Sequence, residues 1–214
     1  MAAKPGCLFI QFAREPVVGA VKTRMTPHLS PEQACQLHCE LVLWTCRNLL
    51  AAGQGAVELC VAGDTDHPLF QRCRELGVAA VTSQHGADLG ERMYRAIVDG
   101  LSRYSSVVLV GSDCPDIDGA YLAGALKGLQ EAPLVFGPAN DGGYVLVGAS
   151  RVVPEVFAGI SWGSDRVYGQ TVAALQRLGL PWRELPFLAD IDRPEDLPLW
   201  QAIQQVPGGQ RLRQ

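Results

Sequence analysis

Short apolar runs separated by stretches with helical start signals constrain this chain more than any other feature. Leu8 to Ala13, Val57 to Ala62, Val78 to Thr82, Ser106 to Gly111, Leu134 to Gly137 and Tyr144 to Gly148 each read as a strand. Their apolar residues run on rather than alternate with polar ones, which suits strands covered on both faces. Between them, Ser30-Pro31-Glu32-Gln33 offers an N-cap serine, a proline at the first helical position and a glutamine at N3. Asp88-Leu89-Gly90-Glu91 is a second capping box, followed by Met93, Ala96 and Ile97 on one helical face. Asp118 caps a helix reaching Leu129, another helix runs from about Val167 to Leu178, and Asp192-Arg193-Pro194-Glu195 opens the last. Strand–helix alternation in one continuous series implies a single α/β domain, residues 1–206, with a mostly parallel, mixed central sheet flanked by helices. Residues 207–214, with Gly208-Gly209 and two arginines, read as a frayed tail.

The charge balance removes several function classes. Lys plus Arg number 18 against 22 for Asp plus Glu, a net charge of −4. Nucleic-acid affinity rests on neutralised phosphates, so this balance offers no long-range attraction for DNA or RNA. The longest apolar runs, Cys7 to Ile10 and Val107 to Val110, are too short to cross a bilayer. No basic segment followed by an apolar stretch and a cleavage site opens the sequence, so a soluble cytoplasmic protein without a membrane partner is expected. Seven cysteines argue for reduced thiols rather than a disulfide framework. Cys35, His38 and Cys39 fall within one helical turn and raise the question of zinc. However, Cys35, Cys39, Val42, Cys46 and Leu49 share one stripe, with Gln33, Gln36, Glu40 and Arg47 opposite. That stripe reads as core, and no second cysteine–histidine cluster supplies further zinc ligands.

In such sheets, ligands bind beyond the carboxyl ends of the strands. The first strand closes at Ala13 and leads into a loop containing Gly19, Lys22 and Arg24. A Walker loop needs glycine directly before the lysine, where Val21 stands here. What remains is a glycine-containing loop with a point charge and a forked donor suited to a diphosphate. The competing account makes Lys22 and Arg24 solvated surface cations. The fourth strand ends in Gly111-Ser112-Asp113-Cys114-Pro115-Asp116. A carboxylate there is costly unless a cation meets it, and Mg²⁺ characteristically takes one or two carboxylates plus phosphate oxygens. Asp113 as a plain turn residue is the alternative. In Asp190-Ile191-Asp192, an extended backbone points both carboxylates the same way. Asp192 is equally suited to N-cap the last helix, with Glu195 closing the box. Asn140-Asp141-Gly142-Gly143 is an ordinary hairpin signal, yet the loop would reach the same rim as Asp113. Asp141 is therefore a candidate for binding sugar hydroxyls or an acceptor. Gly90 loses stability in a first helical turn, which suggests close approach of a ligand there, with Gln84 upstream contacting base or ribose.

Taken in order, VKTRM, GSDCPDI, GPANDGGYVLVG and DIDRPEDL resemble the glycosyltransferase A-type superfamily of nucleotide-diphospho-sugar transferases, from about Leu8 to Leu197. The resemblance is nearest to a bacterial branch of small glycosyltransferase-like proteins. It is more distant to molybdenum cofactor guanylyltransferase and phospholactate guanylyltransferase. It implies a Rossmann-like nucleotide-binding domain, a Mg²⁺ or Mn²⁺ ion, and a nucleotide-sugar or nucleoside triphosphate as partner. It puts Lys22 and Arg24 near the phosphates, Asp113 on the metal, and Asp192 as the second metal carboxylate. With Asp141 added from the hairpin's place on the rim, the candidate catalytic set is Lys22, Asp113, Asp141 and Asp192. Ala13, Gly19, Gln84 and Gly90 join Lys22 and Arg24 in the nucleotide set, and Asn140 to Gly143 form the substrate set. A glycosyltransferase D-x-D is absent, because Cys114 and Pro115 follow Asp113; the nucleotidyltransferase G-G-x-x-x-R-M-G-x-x-K is absent too. The expected reaction is metal-dependent glycosyl transfer from a nucleotide-sugar to a small acceptor. Nucleotidyl transfer with release of pyrophosphate is the alternative, and a catalytically silent nucleotide-binding protein is a third.

Overall fold

The computed structural model describes residues 4–26 and 28–205; the expected tail at 207–214 lies outside the described residues. Seven strands form one sheet: β1 (Cys7–Arg14), β2 (Ala56–Ala62), β3 (Ala80–Ser83), β4 (Ser106–Val110), β5 (Leu134–Pro138), β6 (Tyr144–Ala149) and β7 (Trp182–Glu184). Among the described residues, six helices pack around it: α1 (Pro31–Ala52), α2 (Pro68–Leu76), α3 (Leu89–Arg103), α4 (Gly119–Glu131), α5 (Val167–Leu178) and α6 (Leu197–Gln204). The strand order is β3-β2-β1-β4-β6-β5-β7. Only β6 runs against its neighbours, pairing antiparallel with both β4 and β5. The sheet is thus mixed and mostly parallel, as the alternation implied.

The continuous apolar runs bury residues on both faces. Phe9, Leu59, Val61, Val108, Val110 and Val135 face α1, α2 and α4. Leu8, Ile10, Phe12, Leu109, Phe136 and Val147 face α3 and α5. A third cluster joins Met25, Leu37 and Leu41 to Ile191, Trp200 and Ile203, tying the loop after β1 to the last helix. Cys35 and Cys46 lie buried in the expected stripe of α1, Cys39 is half-buried, and all seven thiols are free. The Ser30 capping box forms, with Gln33 N–H donating to Ser30 Oγ and Ser30 N–H to Gln33 Oε1. Asp118 caps α4 through Tyr121 N–H, and Asp88 caps α3 through Glu91 N–H.

One cap differs. Asp192 does not cap the final helical segment; both Asp192 N–H and Arg193 N–H donate to Asp196 Oδ2, at 2.9 and 2.7 Å. A 3₁₀ turn, Pro194–Asp196, precedes α6 and moves the helix start past Asp192. Its carboxylate is left free to point elsewhere. No described helix is long and apolar enough to cross a membrane.

Candidate functional site

Beside β1 the chain continues to β2 on one side, while β4 lies on the other, so the switch point of the sheet falls between β1 and β4. Their carboxyl ends are held in register by a buried polar network. Gln11 Nε2 donates to Ser112 Oγ and to Val42 O, both at 2.9 Å, and Ser112 Oγ donates to Phe12 O at 2.7 Å. Trp44 Nε1 anchors the following loop through Pro115 O at 3.0 Å. These bonds fix where Asp113 emerges.

Lys22 meets Asp113 from the loop after β1. It is buried, at 8% exposure, and is the only non-glycine described residue with positive φ, at +50°. Its ammonium donates to Ile191 O at 2.6 Å and lies 2.9 Å from Asp113 Oδ1 and 3.7 Å from Asp192 Oδ1. Ile191 N–H in turn donates to Asp113 O at 2.8 Å. Arg24 closes the far side, its Nη1 2.6 Å from Asp192 Oδ2, and this bond raises the Arg24 pKa further. Three segments distant in sequence therefore meet on one ammonium. The two carboxylate oxygens it faces are no further apart than its two ion-pair distances laid end to end. The side chains of Asp113 and Asp192 remain 45% and 27% exposed, so both can still meet an incoming ion.

The hairpin between β5 and β6 borders this knot. Gly142 N–H donates to Ala139 O and Gly143 N–H to Asp141 Oδ1, making the tight turn its sequence suggested. Asn140 N–H donates to Leu188 O, so the turn rides on the segment leading to Asp190 and Asp192. Burial, then repulsion from Asp141, pushes the Asp190 carboxyl up to about 6.

A cavity of about 620 Å³ opens beside the knot, lined among others by Ala13, Arg14, Lys22, Arg24, His38 and Gln84, and by Asp88, Arg92, Asp113 and Asp192. A larger cavity, about 840 Å³, lies between α1, α4 and the segment at 185–188, away from Lys22 and its partners.

A family profile described as an uncharacterized protein conserved in bacteria, DUF2064, matches residues 45–164. A protein from Desulfovibrio desulfuricans proposed to be a nucleotide-diphospho-sugar transferase is 32% identical, with a TM-score of 0.84 over 97% of this chain and 91% of its own. The chain belongs to the DUF2064 family. Its fold is that of the nucleotide-diphospho-sugar transferase superfamily. The same fold recurs in CMP:2-keto-3-deoxy-manno-octonic acid synthetase in complex with CTP, at 11% identity and a TM-score of 0.59, covering 93% of this chain and 98% of that one. It recurs also in Rv0371c of Mycobacterium tuberculosis in complex with manganese, at 18% identity and a TM-score of 0.54, covering 92% and 98%. No curated protein compared with the chain matches it.

In this member of the family, Lys22, Arg24, Asp113 and Asp192 come together, and Ala13 and Gln84 line the same cavity. Gln84 is held there by Nε2 bonds to Ala13 O and Cys60 O. Asn140 to Gly143 lie at the neighbouring rim rather than on the cavity wall. Gly90 needs a correction. It is not among the residues lining the cavity and is glycine for a local reason: a Cβ would lie 2.6 Å from the Trp162 ring and 2.9 Å from Phe157 O. Gly19 is off the wall too, and its φ of +79° serves the turn in which Ala20 N–H donates to Val17 O. Arg14, His38 and Arg92 line the cavity but were not singled out as site residues. Arg14 is the last residue of β1, and Arg92 stands four residues beyond the Asp88 cap; those positions were the available signals.

Proposed function

We propose that the protein transfers a group from a nucleotide-activated donor, with a sugar moved from a nucleotide-diphospho-sugar to a small acceptor as the leading reaction. The observation that carries this reading is the meeting of Asp113, Asp192 and Lys22 on the ligand edge of the sheet. The 32% identical relative, proposed to be a nucleotide-diphospho-sugar transferase, supports it. Among the described residues no three Asp, Glu, His or Cys side chains group as a closed metal site. Two partly exposed carboxylates nevertheless fit Mg²⁺ or Mn²⁺ bound together with phosphate oxygens. Asp113 and Asp192 would hold that ion, which when bound supplies Lewis acidity to the departing diphosphate.

The acceptor would lie toward Asn140 to Gly143. Its hydroxyl oxygen bonds to the anomeric carbon as the bond from that carbon to the diphosphate oxygen breaks. Asp141 takes the hydroxyl proton, and the nucleoside diphosphate departs. Arg24, beside Asp192, would steady the charge that grows on the departing diphosphate.

One observation favours nucleotidyl transfer as a second reading. The second carboxylate comes from a distant segment, Asp192, and not from a D-x-D, since Pro115 stands where its second aspartate would be. Incubation with Mg²⁺ and either nucleotide-sugars or nucleoside triphosphates, followed by identification of the released product, separates them. Nucleoside diphosphate supports glycosyl transfer, pyrophosphate supports nucleotidyl transfer, and neither product across a broad panel rejects both.

A further inference from the structure

The charges around the 620 Å³ cavity fall into two sets. Lys22 and Arg24 are already matched by Asp113 and Asp192. Lys22 in particular is buried, and its ammonium is directed at Ile191 O and the two carboxylates. Arg14 and Arg92 line the same cavity, from the end of β1 and the first turns of α3, and neither pairs with a carboxylate among the described residues. Arg92 is half-buried, and its Nε donates to Gly86 O at 3.2 Å, which aims the guanidinium and leaves its terminal nitrogens without a described partner. His38 Nε2 bonds Arg14 O at 2.8 Å and fixes the backbone from which the Arg14 side chain departs. The nearby carboxylate of Asp88 is already engaged as the α3 cap.

A cation matched by an adjacent carboxylate has less to offer a phosphate than an unmatched guanidinium, whose planar fork fits two phosphate oxygens. Resting on the nucleotide-donor reading above, we infer that Arg14 and Arg92 are the anion subsite of this cavity and hold the phosphate tail of the donor. Lys22 is a positioning residue that compensates the charge of Asp113 and Asp192 where the fold brings them together.

Calorimetry with inorganic pyrophosphate, with and without Mg²⁺, tests the subsite without requiring knowledge of the base. Arg14→Gln and Arg92→Gln should each weaken pyrophosphate binding about 10-fold or more, a charge-assisted bond's worth. Arg177→Gln, an equal charge loss outside the cavity, should leave binding unchanged. Parallel titrations with nucleoside triphosphates and nucleotide-diphospho-sugars tell the sources apart, because the donor that belongs in the cavity shows the larger loss in the two variants. For Lys22, the readout is Mn²⁺ affinity without nucleotide. Lys22→Met should raise it several-fold, because two facing carboxylates lose their cation. Wild-type-like pyrophosphate affinity in both arginine variants overturns the subsite. Unchanged Mn²⁺ affinity in folded Lys22→Met overturns the positioning role. Pyrophosphate binding that needs Arg14 and Arg92, with no nucleotide bound by any form, overturns the donor reading alone.

Discussion

Lys22 carries a left-handed backbone, a buried ammonium and two carboxylate neighbours, a combination that persists only when its surroundings impose it. Lys22→Met leaves Asp113 and Asp192 facing each other uncompensated. Stability should fall by about 1.5–3 kcal/mol, the range for bonds to charged groups. Denaturant titrations with millimolar Mg²⁺ should show part of that loss restored. His38 gives a pH dependence. Burial, chiefly, holds its pKa below the ordinary value, with Lys22 and Arg14 lowering it further, while the bond to Arg14 O and the charge of Asp113 oppose the shift. The folded state therefore binds fewer protons than the unfolded one just below about pH 6.5, and stability falls as pH drops through that window. His38→Gln should flatten that fall in a pH series of denaturant titrations. Taking the difference from wild type separates His38 from Asp190, whose raised pKa acts in the opposite sense. Asp113 was legible as a carboxylate at the end of a buried strand, and Lys22, Arg24 and Asp192 from the charge pattern of their segments and the motif resemblance. Arg14 and Arg92 were not, because unpaired arginines are common on any surface and only the fold shows that these two share a cavity.

Local chemistry made most elements legible, and its gaps have physical causes. Serine and aspartate caps marked α1, α3 and α4, and unbroken apolar runs marked six strands. The helix α2 was missed because its nine residues bury only Leu69, Phe70 and Cys73 and begin at a histidine cap. The strand β7 is three residues long and mostly exposed, so its conformation comes from pairing with β5 rather than from its own pattern. Asp192 illustrates a cap signal overridden by tertiary contacts, because Lys22 and Arg24 claim its carboxylate while Asp196 receives the backbone donors. Asp192→Asn should accordingly lose turnover at a stability cost of no more than about 1 kcal/mol, because its hydrogen-bond partner Arg24 is exposed. Asp196→Ala should cost about 1 kcal/mol and spare the chemistry; thermal melts and turnover measured on both variants check the pair. Gly90→Ala would gain helix propensity yet drive a methyl into Trp162 and Phe157 O. Overpacking should dominate, at about 1–3 kcal/mol, in a denaturant titration followed by tryptophan fluorescence.

Across the whole molecule, the mixed sheet brings together residues that sequence distance keeps apart. Strand order and the reversal of β6 depend on long-range pairing, which no local pattern encodes, yet they put the ends of β1, β4 and β5 and the segment 188–192 on one edge. The third core cluster, from Met25 to Trp200, then locks the β1 loop against the last helix so that the two carboxylates face one ammonium. That geometry underlies the claim that Asp113 and Asp192 share an ion together with a nucleotide. Magnetic resonance of free Mn²⁺, titrated with protein in the presence of nucleotides and nucleotide-sugars, tests it most directly. Wild-type protein should remove the free-ion signal when the fitting nucleotide is present and far less without it, and both Asp113→Asn and Asp192→Asn should abolish that effect while remaining folded. Nucleotide-dependent Mn²⁺ binding that survives in both variants would contradict a shared ion at this site.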